Sequence, residues 1–250
     1  MPNQPYLDAS VAWRIKSGDL PLEEPDYSAT VEAILSVGLA TEVVALISAG
    51  KEANVYLCTY NGAPLAVKAY RLYRTSHRGG RPIKIDTMSW IAVHEFEMMR
   101  QAWKGGAPVP APARRVENMF SIRYIGGEDG PAPRLQHVEL EEPVRVLSGI
   151  LTGVEELAKA GVVHADLSAF NILVHGGRQW FIDFSGALRV DRSGTAPWRR
   201  LVEGEMYLTR GLRALQAYFR RYDLRLPIPA LVTELAHYVD RSKVIQQLTS

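Results

Sequence analysis

The chain has one cysteine, Cys58, which excludes an internal disulfide framework and fits a reducing compartment. Cys58 sits inside an apolar strand pattern, so a buried packing role is expected for it rather than reactivity. No window approaches the roughly 18 consecutive apolar residues that a membrane span requires. The N-terminal MPNQPYLDAS has no basic stretch followed by an apolar core, so it does not read as a secretory signal. A strong charge of one sign is missing as well. The 29 basic and 27 acidic residues leave a net charge of +2, which demands neither a nucleic-acid nor a membrane partner. Glycine-rich phosphate loops of the Gly-x-Gly-x-x-Gly or Walker type are absent. His94, His137 and His175 lack metal-ligand spacing. With 250 residues, 47% of them apolar, the chain can hold one large core or two lobes and is expected to be a cytoplasmic, soluble protein.

Residues 1–27 carry Pro2, Pro5, Pro21 and Pro25 and read as an irregular arm, with room for a short helix at Ala9–Ser17. Residues 28–127 read as a front lobe. It opens with a short helix ending near Gly38, followed by strands at Val43–Ser48, Ala53–Tyr60 and Leu65–Tyr70. Asn61-Gly62 between the last two is a strong hairpin signal, because both turn positions need positive φ. Arg71–Lys84 is basic and reads as a loop, and a helix is expected over Asp86–Trp103. Further strands are expected at Ala113–Glu117 and Met119–Ile125. Residues 128–250 read as a helical back lobe. It holds an amphipathic helix at Pro143–Gly161, a hairpin turning at Gly176-Gly177, and two closing helices at Trp198–Tyr222 and Pro229–Leu248. The expected fold class is α+β, with two lobes.

What is present is a run of chemistry-bearing residues in the second half. His164-Ala-Asp-Leu-Ser-Ala-Phe-Asn171 has the form His-x-Asp-Leu-x-x-x-Asn, and Ile182-Asp183-Phe184 follows at the end of an apolar run. Phosphoryl transfer needs an aspartate facing the acceptor hydroxyl, an asparagine on a metal ion and a second aspartate on the metals bridging the phosphates. Asp166 is therefore the candidate base or acceptor-orienting residue, and Asn171 and Asp183 the candidate ligands of Mg²⁺ or Mn²⁺. His164 is expected to order the loop by hydrogen bonding rather than to react.

Lys68, in Leu65-Ala-Val-Lys-Ala-Tyr70, resembles the strand lysine of protein kinases that contacts the α- and β-phosphates. Strand alternation puts Ala66, Lys68 and Tyr70 on one face, where Ala66 can floor a nucleotide. The lysine needs an orienting carboxylate. Glu95, among Ile91, Ala92, Met98 and Met99, lies on the apolar side of its helix, whereas Glu97 lies on the solvated side, so the ion pair is assigned to Glu95. The phosphate loop is placed between the first two strands, at Ser48-Ala-Gly-Lys-Glu-Ala-Asn-Val-Tyr56, with Ser48, Gly50, Lys51 and Glu52 as its candidate contacts.

With these residues assembled, the chain resembles the RIO-type atypical serine/threonine protein kinases. The resemblance rests on the Ser48–Tyr56 loop, Val67–Ser76 around the lysine, and Trp90 with His94-Glu95-Phe96. It rests also on Tyr124-Ile-Gly-Gly with Pro131–Leu135, His164–Ser168 with Asn171-Ile-Leu173, and Ile182-Asp-Phe-Ser185. It implies a two-lobed protein-kinase-like fold with a trimmed C-terminal lobe and no activation loop. It implies ATP and a protein substrate as partners, with adenine bound by backbone groups near Arg123 to Ile125 and walled by Val55, Ala66, Leu173 and Ile182. In relatives the metal-loop aspartate can itself become phosphorylated, and some members act as ATP-driven switches on pre-ribosomal particles. The short N-terminal segment points to the branch lacking a full winged-helix domain. Ala49 stands where a hydroxyl residue is common, Arg123 where glutamate is common, and Leu208-Thr-Arg-Gly211 lacks the aspartate expected after the arginine.

Three outputs are compatible with these residues. One is an autophosphorylating serine/threonine kinase, and another an ATPase or nucleotide-switched assembly factor acting through phospho-Asp183. The third is a small-molecule phosphotransferase of the aminoglycoside or choline kinase type, which shares His-x-Asp-x-x-x-x-Asn and Ile-Asp-Phe. The basic loop at Arg71–Lys84 could touch RNA or an RNA-containing particle, but it reads first as a solvated face.

Overall fold

The computed structural model describes residues 27–50, 52–71, 85–127, 129–190 and 197–236. The helix expected at Ala9–Ser17, Lys51, nearly all of the basic loop and the last part of the closing helix lie outside the described residues. The chain divides into two units. One holds the residues up to Phe96 with Pro112–Tyr124, and the other holds Glu97–Ala111 with everything from Ile125 onward.

The first unit begins with helix α1 (Tyr27–Ser36), and the chain turns out of it at Gly38, whose φ is +66°. An antiparallel sheet follows, made of β1 (Glu42–Ala49), β2 (Ala53–Tyr60), β3 (Ala63–Tyr70), β4 (Pro112–Val116) and β5 (Met119–Arg123) in the order β1-β2-β3-β5-β4. Asn61 and Gly62 take φ of 50° and 82°, the left-handed pair that a two-residue hairpin requires. Thr41 fastens this turn: its Oγ1 accepts the Asn61 N–H at 2.9 Å and donates to the Thr59 carbonyl at 3.0 Å. Ile34 and Leu39 close over Tyr56, Cys58, Val67, Ala69 and Met119, giving this unit its apolar core. Within that core, burial pushes the Cys58 thiol up to about 11. Helix α2 (Ile85–Lys104) contributes Phe96, whose ring lies 5.9 Å from that of Phe120.

The second unit is organised around helix α3 (Pro143–Lys159), which starts on a proline at its first position and buries Leu147, Ile150, Val154 and Leu157. The hairpin of β9 (Ile172–His175) and β10 (Arg178–Phe181) packs on it. Phe181 seats against Gly153, where an added Cβ would fall 2.4 Å from the ring, so the contact requires glycine there. Short strands complete the unit: β6 (Gly126–Gly127) pairs with β7 (Gly130–Pro131), and β8 (Val162–Val163) with β11 (Leu188–Arg189). Helix α4 (Pro197–Phe219) buries Leu208, Leu212, Leu215 and Phe219, and a last helix, α5, covers 228–236.

The unit boundaries differ from those expected at 28–127 and 128–250. Residues 97–111 belong with the second unit, because Gln101 Nε2 donates to the Ala160 carbonyl at 2.6 Å and Phe181 N–H to the Pro108 carbonyl at 2.8 Å. Ile125 belongs there too, its carbonyl accepting the Ala132 N–H at 3.0 Å. No helix among the described residues is long and apolar enough to cross a membrane.

Candidate functional site

In the first unit, the extended pairing of β2, β3 and β5 sets Lys68 opposite Val55 on one side and Phe120 on the other. Its Nζ lies 2.8 Å from Glu95 Oε1, and Glu95, on α2, is only 1% exposed. The Tyr70 hydroxyl, two residues along the same strand face, donates a short hydrogen bond to Glu95 Oε2. Both carboxylate oxygens are thus held by donors from one strand, which makes so deep a burial of the charge affordable. Glu97 is 43% exposed and bonds Arg100 instead. The structure therefore pairs Lys68 with the glutamate chosen from the helical pattern. Tyr70 escaped sequence reasoning, although period-two alternation already put it beside Lys68.

The other expected nucleotide contacts of this unit are distributed as follows. Ser48 is paired with Val55 across β1 and β2. Gly50 N–H donates to the Ala53 carbonyl at 3.0 Å, and an added Cβ at 50 would lie 2.6 Å from that oxygen, so the turn accepts only glycine. Lys51 lies outside the described residues. The Glu52 carbonyl accepts the Arg71 N–H at 2.8 Å. Asn54, at the start of β2, is buried and its Oδ1 has no hydrogen-bond partner. Ala66 is buried opposite Ile122, and Arg123 ends β5 opposite Leu65.

In the second unit the loop after β8 brings Asp166 and Asn171 into contact. The Asn171 side-chain nitrogen donates to the Asp166 backbone carbonyl at 2.8 Å and to its Oδ2 at 2.9 Å. Asn171 is buried while Asp166 is exposed, so the asparagine anchors a carboxylate that faces water. Because the amide nitrogen is committed to Asp166, the amide oxygen is the atom it can offer a cation. Asp166 N–H donates to the His164 carbonyl at 2.8 Å, closing a three-residue turn around Ala165 at φ +60°.

Asp183 also sits in the left-handed region, at φ +66°, with Ser185 Oγ donating to its Oδ1 at 3.1 Å. Two bonds tie its segment to the catalytic loop: Ile182 N–H to the Asn171 carbonyl at 3.0 Å, and His164 Nε2–H to the Ile182 carbonyl at 2.9 Å. Two non-glycine residues at positive φ in so short a stretch mark backbone held in place by its surroundings. Leu173 lies on β9, bridged to Arg134. Ser185 was not singled out from sequence, and a serine two residues after an aspartate carries little signal by itself.

The donor set can be tested against a cation. Among the described residues no group of three or more His, Cys, Asp or Glu could hold a metal ion. Asn171 and Asp183 offer hard oxygens instead, one neutral and one charged. That suits Mg²⁺, which keeps waters and is completed by substrate phosphates.

His164 is fully buried against Phe184, with ring centroids 4.6 Å apart. Burial lowers its pKa, opposed in part by the bond to Ile182 and by Asp183 and Asp166. The folded protein therefore binds this proton less readily than the unfolded chain does. Stability is fully present above the ordinary value of 6.5 and is lost as pH falls below it toward the lowered value. The free energy of unfolding is expected to drop by up to about 1.4 kcal/mol per pH unit in that window. Urea unfolding at several pH values should show the drop, with a shallower slope in His164→Gln; identical slopes would assign the proton elsewhere.

Comparison with known proteins places these features in context. Residues 54–229 match the RIO domain family. The chain is 30% identical over 190 residues to the serine/threonine-protein kinase RIO1 of Caenorhabditis elegans, an alignment covering 67% of this chain and 37% of that protein. It is 32% identical over 180 residues to the human serine/threonine-protein kinase RIO1, covering 63% and 31%. It is 29% identical over 190 residues to the RIO-type serine/threonine-protein kinase Rio1 of Haloferax volcanii, covering 70% and 62%. The matched region thus spans between about a third and three fifths of these curated relatives. Among solved structures, the Rio2 kinase of Chaetomium thermophilum in its ADP/Mg²⁺-phosphoaspartate complex superposes with a TM-score of 0.63. It is 18% identical, and the superposition covers 96% of this chain and 85% of that one. The likeness identifies a kinase-like fold.

Proposed function

This chain belongs to the RIO domain family, and from that premise we propose that it is an ATP-dependent phosphotransferase of the serine/threonine kinase type. The observation that carries the proposal is the hydrogen-bonded set Asp166–Asn171 joined through Ile182 and His164 to Asp183. Asp166 is exposed and faces an incoming hydroxyl, whose proton it accepts or orients. Asn171 and Asp183 would hold Mg²⁺, which supplies charge neutralisation to the phosphates when bound. Lys68, fixed by Glu95 and Tyr70, holds an ammonium for the α- and β-phosphates. The candidate phosphate contacts are Ser48, Gly50, Lys51 and Glu52, and the candidate apolar contacts of the base are Val55 and Ala66 in the first unit and Leu173 and Ile182 in the second. Backbone groups near Arg123 and Ile125 are the candidate adenine partners.

A second output is favoured by one observation, the phosphoaspartate named in the Chaetomium thermophilum complex. Asp183 is the corresponding candidate here. A carboxylate oxygen would take the γ-phosphoryl group from ATP, releasing ADP, and water would then cleave the acyl phosphate to inorganic phosphate. That cycle makes the protein an ATPase whose product is a change of state, as an assembly factor requires. Family membership weighs against the aminoglycoside or choline kinase reading. The single buried thiol supports a reducing, cytoplasmic setting. A protein substrate and a ribosomal or RNA-containing particle are the candidate partners.

The test is incubation of the purified chain with γ-labelled ATP and Mg²⁺. Protein-bound label is the expected result. Label stable to acid points to serine or threonine, and label released by hydroxylamine points to Asp183. Absence of both label and phosphate release would defeat the proposal.

A further inference from the structure

We infer that Arg210 is a positioning residue that holds the backbone turn presenting Asp166, with the space left by Gly211 as its counterpart; the inference deepens the phosphotransferase reading and rests on it. Arg210 projects from α4, where its guanidinium lies 4.7 Å from the centre of the Tyr207 ring one turn back. From there Nη2 donates a short hydrogen bond to the carbonyl of Ala165. Ala165 is the residue at φ +60°, the centre of the turn closed by the Asp166 N–H and the His164 carbonyl.

An alanine in that region is disfavoured sterically, and a turn of this hand with a non-glycine centre persists only when its surroundings fix it. The bond from Arg210 reaches the carbonyl whose direction that φ helps to set. A charged planar donor stacked on an aromatic ring is well suited to the task, because its own geometry is already restricted. The adjoining residue contributes by its lack of a side chain. A Cβ at Gly211 would stand 2.8 Å from Leu167 Cβ, and Leu167, the residue after Asp166, is buried there. Aspartate at 211, like any larger residue, would displace Leu167 and with it the turn. Helix α4 therefore fixes the loop on both sides of Asp166, by a donor at 210 and by a close approach at 211.

Arg210 touches neither of the candidate metal ligands, so its effect should appear in turnover and not in nucleotide binding. Five proteins test this: the native chain, Arg210→Met, Arg210→Lys, Ala165→Gly, and the double variant of Arg210→Met with Ala165→Gly. Arg210→Met is expected to lower kcat for phosphoryl transfer by about 10- to 100-fold, as loss of an orienting partner does, with KM for ATP within about twofold of the native value. The fold-loss caused by Arg210→Met should shrink in the Ala165→Gly background, since glycine takes positive φ without support. Arg210→Lys, which keeps a donor, should lose less than Arg210→Met and serves as the readout if Arg210→Met fails to fold. An unchanged kcat in Arg210→Met, or the same fold-loss in both backgrounds, would overturn the inference. Hydrogen exchange at the Asp166 amide supplies an arm independent of activity, and it should quicken in Arg210→Met. If the native chain transfers no phosphate, the phosphotransferase reading fails, and the exchange measurement alone decides whether Arg210 holds the turn.

Discussion

Replacing Asp183 by asparagine is expected to lower ATP-dependent phosphoryl transfer by roughly 10²–10³-fold while leaving the fold intact. The reasoning separates charge from shape. Of the two oxygen donors placed for a cation, Asn171 is neutral, so Asp183 alone contributes a formal charge. Asparagine preserves the outline of the side chain, can still accept the bond from Ser185, and tolerates the left-handed backbone better than most residues. Alanine at the same position loses the bond from Ser185 and the local hydrogen bonding by which a short polar side chain eases the left-handed backbone, so Asp183→Ala should lose stability as well as activity. Asp166→Ala is expected to lose about 10²–10⁴-fold by a different route, removal of the proton acceptor. Labelling rates with γ-labelled ATP, measured beside urea unfolding curves, separate these effects. Undiminished transfer in Asp183→Asn would show that its charge is not used.

The second large effect concerns stability. Glu95→Ala is expected to cost about 3–5 kcal/mol, because it removes the buried carboxylate that both the Lys68 ammonium, only 15% exposed, and the Tyr70 hydroxyl bond. Glu95→Gln keeps the bulk and one acceptor and should cost less, about 1–3 kcal/mol. The pair Lys68→Met with Glu95→Leu should regain part of the stability, since an apolar pair needs no counter-charge, while the bond from the Tyr70 hydroxyl stays lost. Chemical denaturation of the single and double variants gives the coupling energy directly, and a coupling near zero would mean that the ion pair is not what holds α2 to β3. Regained stability without regained phosphoryl transfer would identify the pair as functional rather than structural.

These contrasts also indicate what a sequence can reveal. Asn61-Gly62 announced its hairpin because only a few residues accept two successive positive φ values. Glu95 could be told from Glu97 because helical spacing separates a buried face from a wet one. His164, Asp166, Asn171 and Asp183 stood out because polar side chains at fixed spacing between apolar runs are poor packing choices. By contrast, Arg210 and Ala165 are 45 residues apart, and nothing local to either announces the bond. The two-residue strands at 126–127, 130–131 and 188–189 are too short for alternation to register. The assignment of residues 97–111 depended on side-chain bonds from Gln101 and on the backbone of Pro108, contacts invisible to composition. Long-range hydrogen bonds therefore decided what local periodicity could not.

The buried Cys58 has a practical consequence for measuring motion in solution. A thiol held near 11 in the core is almost wholly protonated at neutral pH and closed to reagents. A second cysteine introduced at an exposed position such as Met206, 57% exposed, would be the one site open to a maleimide dye or nitroxide. The native chain thus comes already prepared for single-site spectroscopy, with no cysteine to remove first.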